Sequence, residues 1–367
     1  MREQTVQEYF VYVGAARGEG DPEGIYIFTM DMASGALHPV GAVTDIKNPS
    51  FLALHPRKDV LYAIDEDRSK SPSEAYVAAF RIDRGTGRLT FAGRRPTCGQ
   101  GLAHVSVDHG GRFLFATHYG GGSVTVLPID QDGALGNATG VVQHEGRGDH
   151  PRQDAPHPHS AFSDPTDRFV LVPDLGLDRV FIYRLDAARG KLVPNDPPWA
   201  ALAPASGPRH LAFHPNGRFV YVINELASTV TTFHWGAEHG HMTPLQTVTT
   251  LPSGYAGAEA NTTAEILVHP SGRFVYGSNR GHDSIAVFAV SEKDGTLTPL
   301  GHVPTQGGHP RNFALDPTGT YLYAENRDSN NIVVFRIDGR NGMLEATGHV
   351  TEVPRPVCIK MVPKKTS

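Results

Sequence analysis

The chain has 367 residues, with 33 Lys and Arg against 38 Asp and Glu, a formal charge of −5 and no long run of like charge, so it carries no footprint for nucleic acid or an anionic membrane. The stretch Met1 to Phe10 lacks the apolar core of a secretion signal, and nothing approaches the roughly 18 consecutive apolar residues of a membrane-spanning helix. Two cysteines, Cys98 and Cys358, fall in different expected strands and form no disulfide framework, which makes a reducing cytoplasm the expected compartment.

After a segment expected to fray, Met1 to Glu8, the chain enters a unit of roughly fifty residues that recurs to the other end. The residues just before each apolar run are Tyr9, Asp59, Arg112, Arg168, Arg218, Arg273 and Thr320, at intervals of 50, 53, 56, 50, 55 and 47. The fifth copy shows the plan: Arg209 to Phe213, a His214-Pro turn, Phe219 to Ile223, Thr229 to Phe233, a Gly turn, and Leu245 to Leu251. β-branched and aromatic runs punctuated by Gly, Asp and Pro read as strands. Four antiparallel strands in each of seven copies predict an all-β, seven-bladed β-propeller, a single domain covering 1–367, and the 40 Gly and 28 Pro fall where so many turns need them.

The two ends predict how the ring closes. The first copy begins at Phe10 in the second-strand position, while the last is followed by Pro356-Val-Cys-Ile-Lys-Met-Val-Pro363, an orphan first strand. Residues 356–362 are therefore expected to supply the inner strand of the N-terminal blade and leave no exposed edge at the seam. Beyond them Lys364 to Ser367 are expected to fray.

Antiparallel pairing puts the start of each first strand and the end of each second strand at the same mouth of the central channel. Counting back from the turn prolines or their equivalents gives Ser50, His104, His159, Arg209, Ala264, Arg311 and Val357; the second strands end at Ala15-Ala16, Asp65-Glu66, His118-Tyr119, Asp174-Leu175, Asn224-Glu225, Asn279-Arg280 and Asn326-Arg327. Glu265 sits beside the Ala264 position. Asn and Asp at these exits are expected turn caps, and His55, His214 and His269, like Arg112, Arg168, Arg218 and Arg273, repeat with the blade and read as scaffold. Residues that occupy equivalent slots yet differ in type mark the site: His159, Arg209, Glu225, Arg280 and Arg311. The segment Asp154-Ala-Pro-His157-Pro-His159-Ser160 brings two histidines to the mouth; with no carboxylate or cysteine at ligand spacing, a substrate-facing or catalytic His is preferred over a metal pair, and no metal or cofactor is expected.

Gly207-Pro-Arg-His210 leading into His214-Pro-Asn-Gly217, Asn224-Glu-Leu-Ala-Ser-Thr-Val230, Ala264-Glu-Ile266 with Ser278-Asn-Arg280, and Gln306-Gly-Gly-His-Pro-Arg311 closely resemble the seven-bladed propeller lactonase family over essentially the whole chain. That family is typified by the bacterial cytoplasmic 6-phosphogluconolactonase and includes a fungal branch that cyclises 3-carboxy-cis,cis-muconate. The resemblance implies a site of one His, two Arg and a Glu: His159, Arg209, Glu225 and Arg280. His104 also resembles a family position, and the lengthened Pro156-His-Pro-His159 segment leaves open whether His157 or His159 faces the substrate.

On this reading the expected activity is hydrolysis of an anionic, sugar-derived lactone. His159 or Glu225 is the candidate general base, and Arg209 and Arg280 stabilise an oxyanion or grip the anionic group. His104, His157, His118, Arg311 and Glu265 are the expected substrate-binding side chains. There is no Gly-x-Ser-x-Gly elbow for a serine nucleophile. A muconate-type cycloisomerase would need nearly the same residues, and a propeller acting only as an interaction platform is the third reading. The expected partner is the small-molecule lactone alone, on a monomer or weak homodimer.

Overall fold

In the computed structural model, which describes residues 8–16, 24–69 and 74–365, seven four-stranded antiparallel sheets form a closed propeller. Blade 1 pairs the C-terminal strand Pro356–Pro363 with Tyr9–Ala15, followed by Gly24–Met30 and Leu37–Val43. The seam runs in register from Tyr9 opposite Pro363 to Gly14 opposite Cys358, so the orphan strand closes the ring as its sequence implied. The inner strands of blades 2 to 7 are Leu52–Leu54, Leu102–Val107, Phe162–Ser163, Pro208–Phe213, Thr262–Val268 and Pro310–Leu315.

The hydrophobic core lies between the blades. One cluster joins Val170 and Val172 of blade 4 to Phe115 and Val126 of blade 3; another joins Val220 and Phe233 of blade 5 to Leu171 and Ile182 of blade 4. Because each second strand has a neighbouring blade on both faces, Phe219–Asn224 is buried at every position and its apolar run is continuous, not half solvent-facing. Outer strands meet water, and Leu245 is left exposed.

Directional bonds fix the blades' relative rotation. Tyr12, Tyr62, Tyr221, Tyr276 and Tyr323 each donate a hydroxyl proton to the carbonyl of a turn glycine in the next blade, Gly87, Gly133, Gly295, Gly342 and Gly35, over 2.8 to 3.0 Å. The repeated His-Pro turns do the same at the face away from the site, with the rings of His55, His214 and His269 on the carbonyls of Gly111, Gly272 and Gly319.

Two sequence expectations fail here. Lys364 and Glu8 are tied down: the Lys364 amide donates to the Glu8 carbonyl at 2.7 Å and its ammonium lies 2.6 Å from the Glu8 carboxylate, while the Lys365 amide donates to Arg84. The rest of the expected fraying, 1–7 and 366–367, lies outside the described residues. Cys98 stands in an exposed turn with φ of 60°, outside any strand; Cys358 is buried in the closing strand, and both are free thiols.

Removing residues 356–367 strips blade 1 of its inner strand and exposes the backbone of Tyr9–Ala15. The expected outcome is loss of the single cooperative thermal transition, followed by circular dichroism. A shortened chain melting cooperatively near the parent temperature would refute closure by this strand.

Candidate active site

One irregularity of the inner strands builds the site. In blade 5, Pro208 pairs with Asn224 and His210 with Ile223, so Arg209 is an extra residue bulged out of the ladder. Blade 7 does the same at Arg311, between Pro310 opposite Asn326 and Asn312 opposite Glu325; blade 3 does so at Ala103 and blade 1 at Val357. In blade 6 the register slips across Ala264 and Glu265. A bulge suspends the alternation of faces, so two successive side chains can both point to the axis. The first layer, at the mouth, holds His159, Arg209 and Arg311. The second layer, one step deeper, holds His104, His210, Glu265 and Asn312.

Glu225, the residue after the second strand of blade 5, is the hub of the mouth. Its amide donates to Gly207 at 2.7 Å, and its carbonyl accepts from the Thr263 amide at 3.2 Å. Gly207 adopts φ of 62°, and a Cβ there would come within 2.4 Å of Leu226, so the tight turn that delivers Arg209 requires glycine. Three guanidiniums converge on the Glu225 carboxylate: Arg209 at 3.1 Å, Arg280 at 3.0 Å and Arg152 at 2.5 Å. Arg209 also donates to the Ala264 carbonyl at 2.6 Å, and Arg280 to that of Thr263.

Burial alone would push the Glu225 carboxyl up, but Arg280, Arg209 and Arg152 outweigh it and hold it at about 2. Arg209 is drawn down to about 10 by burial and by Arg280, and remains charged. Arg311 is in another position. Among the described residues it has no ion pair, and burial together with Arg209 and Arg280 sets its proton affinity well below that of an ordinary arginine. Four guanidiniums therefore face one carboxylate, the mouth carries a clear excess of positive charge, and Arg311 is the one of the four without a direct ion pair among the described residues.

His159 shares this field. Its ring is buried, its Nδ1 has no hydrogen-bond partner, and burial, then Arg209, the His210 ring, Arg311 and Arg280, hold it well below 6.5. It is a neutral imidazole beside guanidiniums, available to accept a proton. Glu225 is pinned by three cations at about 2, which weakens it as a base.

The other expected residues are sorted plainly. His157 does not face the channel cluster: its ring stacks on Tyr119 at 4.4 Å, with Nδ1 2.8 Å from the Tyr119 carbonyl and Nε2 3.3 Å from Asp154. His118 is fully enclosed, with Nε2 2.8 Å from the Thr97 hydroxyl and Nδ1 3.3 Å from Ser123. His104 does not share the layer of Arg209; the third copy's register places Ala103 there, and His104 lies one step deeper, 4.3 Å from the Phe51 ring. Glu265 is in the second layer too, 3.0 Å from His210 Nδ1 and accepting from Asn312.

Sequence reasoning missed Arg152, His210 and Asn312. Arg152 belongs to the connection between blades 3 and 4, and the 56-residue interval there, longer than the others, was its only signal. His210 and Asn312 follow Arg209 and Arg311, and strict alternation assigns them to the opposite face.

Fold and mouth together define a seven-bladed propeller with arginines, a carboxylate and a histidine gathered at one end of its channel. The family model described as "Lactonase, 7-bladed beta-propeller" matches residues 10–361, and the chain belongs to that family. It is 36% identical over 300 residues to the 6-phosphogluconolactonase of Bacillus subtilis, covering 82% of this chain and 83% of that one. It is 34% identical over 286 residues to the 6-phosphogluconolactonase of Serratia proteamaculans, covering 78% and 80%. Among solved structures, the periplasmic gluconolactonase of Pseudomonas aeruginosa superposes with a TM-score of 0.91 at 31% identity, over 98% of this chain and 100% of that one.

Replacing Glu225 by Gln leaves Arg209 and Arg280 buried without their counter-charge, and the expected loss is about 3 kcal/mol of unfolding free energy. Because the folded state keeps this carboxyl ionised down to about 2, against its ordinary 4.5, its contribution is complete above about pH 4.5 and is lost as the pH falls toward 2. In urea titrations the gap between the two proteins seen at pH 7 should narrow markedly at pH 3. An unchanged midpoint at pH 7 would refute the hub.

Proposed function

We propose that this protein hydrolyses a phosphorylated sugar lactone of the 6-phosphogluconolactone type. The observation that carries the reading is Arg311, a guanidinium with no ion-pair partner among the described residues, set beside a neutral His159 whose Nδ1 likewise has no hydrogen-bond partner among them. The relatives named as 6-phosphogluconolactonases support the same substrate class. An anionic substituent on the lactone supplies the counter-charge that Arg311 lacks, and a planar guanidinium can take two oxygens of a phosphate or carboxylate at once.

With the lactone held, His159 accepts a proton from water as the oxygen attacks the carbonyl carbon. The tetrahedral oxyanion is stabilised by Arg209 and Arg280, already fixed by Glu225 and by main-chain carbonyls, so little reorganisation is needed as charge develops. A six-membered lactone is strained relative to an open ester, and no covalent nucleophile is required. A cycloisomerase needs a side chain that delivers a proton to carbon. Neither a neutral His159 nor an ionised Glu225 carries one at neutral pH, which favours the hydrolase.

Acid release from 6-phosphogluconolactone and from unphosphorylated gluconolactone tests the assignment. For Arg311→Ala, KM for the phosphorylated lactone is expected to rise about tenfold or more, with kcat within about threefold and the unphosphorylated substrate little affected. For His159→Ala, kcat is expected to fall about 10²- to 10⁴-fold. Full turnover in the His159 variant would end the assignment.

A further inference from the structure

His159 is well placed to take a proton and badly placed to keep one. After burial, the groups that most lower its proton affinity are Arg209, the His210 ring, Arg311 and Arg280. Its neighbour is different. His210, whose ring centroid lies 5.2 Å from that of His159, has Nδ1 at 3.0 and 3.1 Å from the two oxygens of Glu265. Its Nε2 is buried and, like Nδ1 of His159, has no partner.

We propose that His210, polarised by Glu265, is the proton-accepting partner of His159 during lactone hydrolysis; the proposal rests on the hydrolase reading given above. Glu265 accepts the Nδ1 proton of His210, which fixes the tautomer and leaves Nε2 as the free base. Two buried, unpaired imidazole nitrogens on adjacent rings leave a gap suited to direct transfer or to one bridging water.

The step balances. A water O–H bond breaks as its oxygen bonds the lactone carbonyl carbon. The proton enters one ring nitrogen of His159 while the other releases its proton to Nε2 of His210. When the ring C–O bond breaks, the same proton returns along the path to the leaving alkoxide, giving the open hydroxy acid. His159 is thus spared from standing as an imidazolium among guanidiniums, and the positive charge rests beside Glu265.

The surroundings are consistent with this division. Around His210 stand Glu265 of blade 6, Arg209 on its own strand, Arg311 and Asn312 of blade 7, His104 of blade 3 and His159 of blade 4. Burial pulls the His210 imidazole down, and Glu265 pushes it back. Glu265 is itself held ionised against burial by His210, Arg209 and the Ile266 amide. Burial pushes the carboxyl of Glu325, on the strand paired with Asn312, well above its ordinary range. The same layer, with Phe51, roofs a cavity of about 520 Å³ bounded by Leu267, Leu315, Pro317 and Lys360, toward the His-Pro turns.

Two variants test it in the full-length protein, with 6-phosphogluconolactone as substrate. In His210→Asn the side-chain amide can still donate to Glu265, and kcat is expected to fall about 10²-fold with KM within about threefold. In Glu265→Gln the volume is kept and only the charge is lost. The catalytic pair then protonates less readily, so the acid limb of kcat/KM is expected to move about one pH unit lower while the plateau falls about tenfold. A purely structural Glu265 would alter the melting temperature and leave the limb in place. If Glu265→Gln keeps both limb and plateau while His159→Ala is inactive, the relay is wrong and the hydrolase stands; if the parent protein opens no lactone, the underlying reading fails.

Discussion

The chemistry of the mouth depends on one extra residue at the start of the inner strands. A regular strand sends successive side chains to opposite faces, so of Arg209 and His210 only one would see the channel and the other would be driven into the packing between blades. The bulge between Pro208 and His210 releases both. Its cost is an interrupted ladder, and the exposed backbone is taken up locally: Ser160 donates its hydroxyl to the Arg209 carbonyl at 2.8 Å, and the Arg209 guanidinium spans to the Ala264 carbonyl of the next blade. The device that doubles the polar density of the channel also stitches blades 4, 5 and 6 together.

That density would be self-defeating without Glu225. Guanidiniums brought together in a buried mouth repel one another in a medium that screens poorly, and burial and their mutual proximity lower the proton affinities of Arg209 and Arg311. One carboxylate reached by three of them offsets part of it, while Arg311 makes no direct ion pair among the described residues. Such an arrangement holds only on a rigid support. The repeated tyrosine hydroxyls on turn carbonyls and the apolar clusters between sheets provide it far from the site. Most of the stability and most of the chemistry come from different residues of the same fifty-residue unit, with Glu225 and Arg209 serving both.

This separation explains what the sequence could reveal. The blade plan and the seam were legible because turn and strand signals recur, and His159, Arg209, Glu225 and Arg280 were legible as residues that break the recurrence. Register was not. His104 was placed one position too shallow because the third copy has Asp108-His-Gly-Gly where others have His-Pro, and a single-residue offset changes the layer. His118 looked like a site residue by position alone, yet its ring serves Thr97 and Ser123 within the scaffold. Arg152 comes from a connection with no counterpart in the other copies, so alignment of repeats could not place it.

The asymmetry of the two layers decides how a substrate lies in the mouth. At the bulged position, blades 4, 5 and 7 carry His159, Arg209 and Arg311, whereas blades 1 and 3 carry Val357 and Ala103. One step deeper, blades 5, 6 and 7 carry His210, Glu265 and Asn312, against Cys358 in blade 1 and the Phe51 ring facing His104. An anionic lactone entering this ring finds charge along one arc and small or apolar side chains along the other. On the proposed reading, a phosphate drawn to the arc of Arg311 would turn the carbonyl toward Arg209 and Arg280 and the attacking water toward His159. Sevenfold repetition builds a symmetric hole; the uneven filling of equivalent positions gives that hole a direction, and a direction is what distinguishes one ester bond of a small sugar from its hydroxyls.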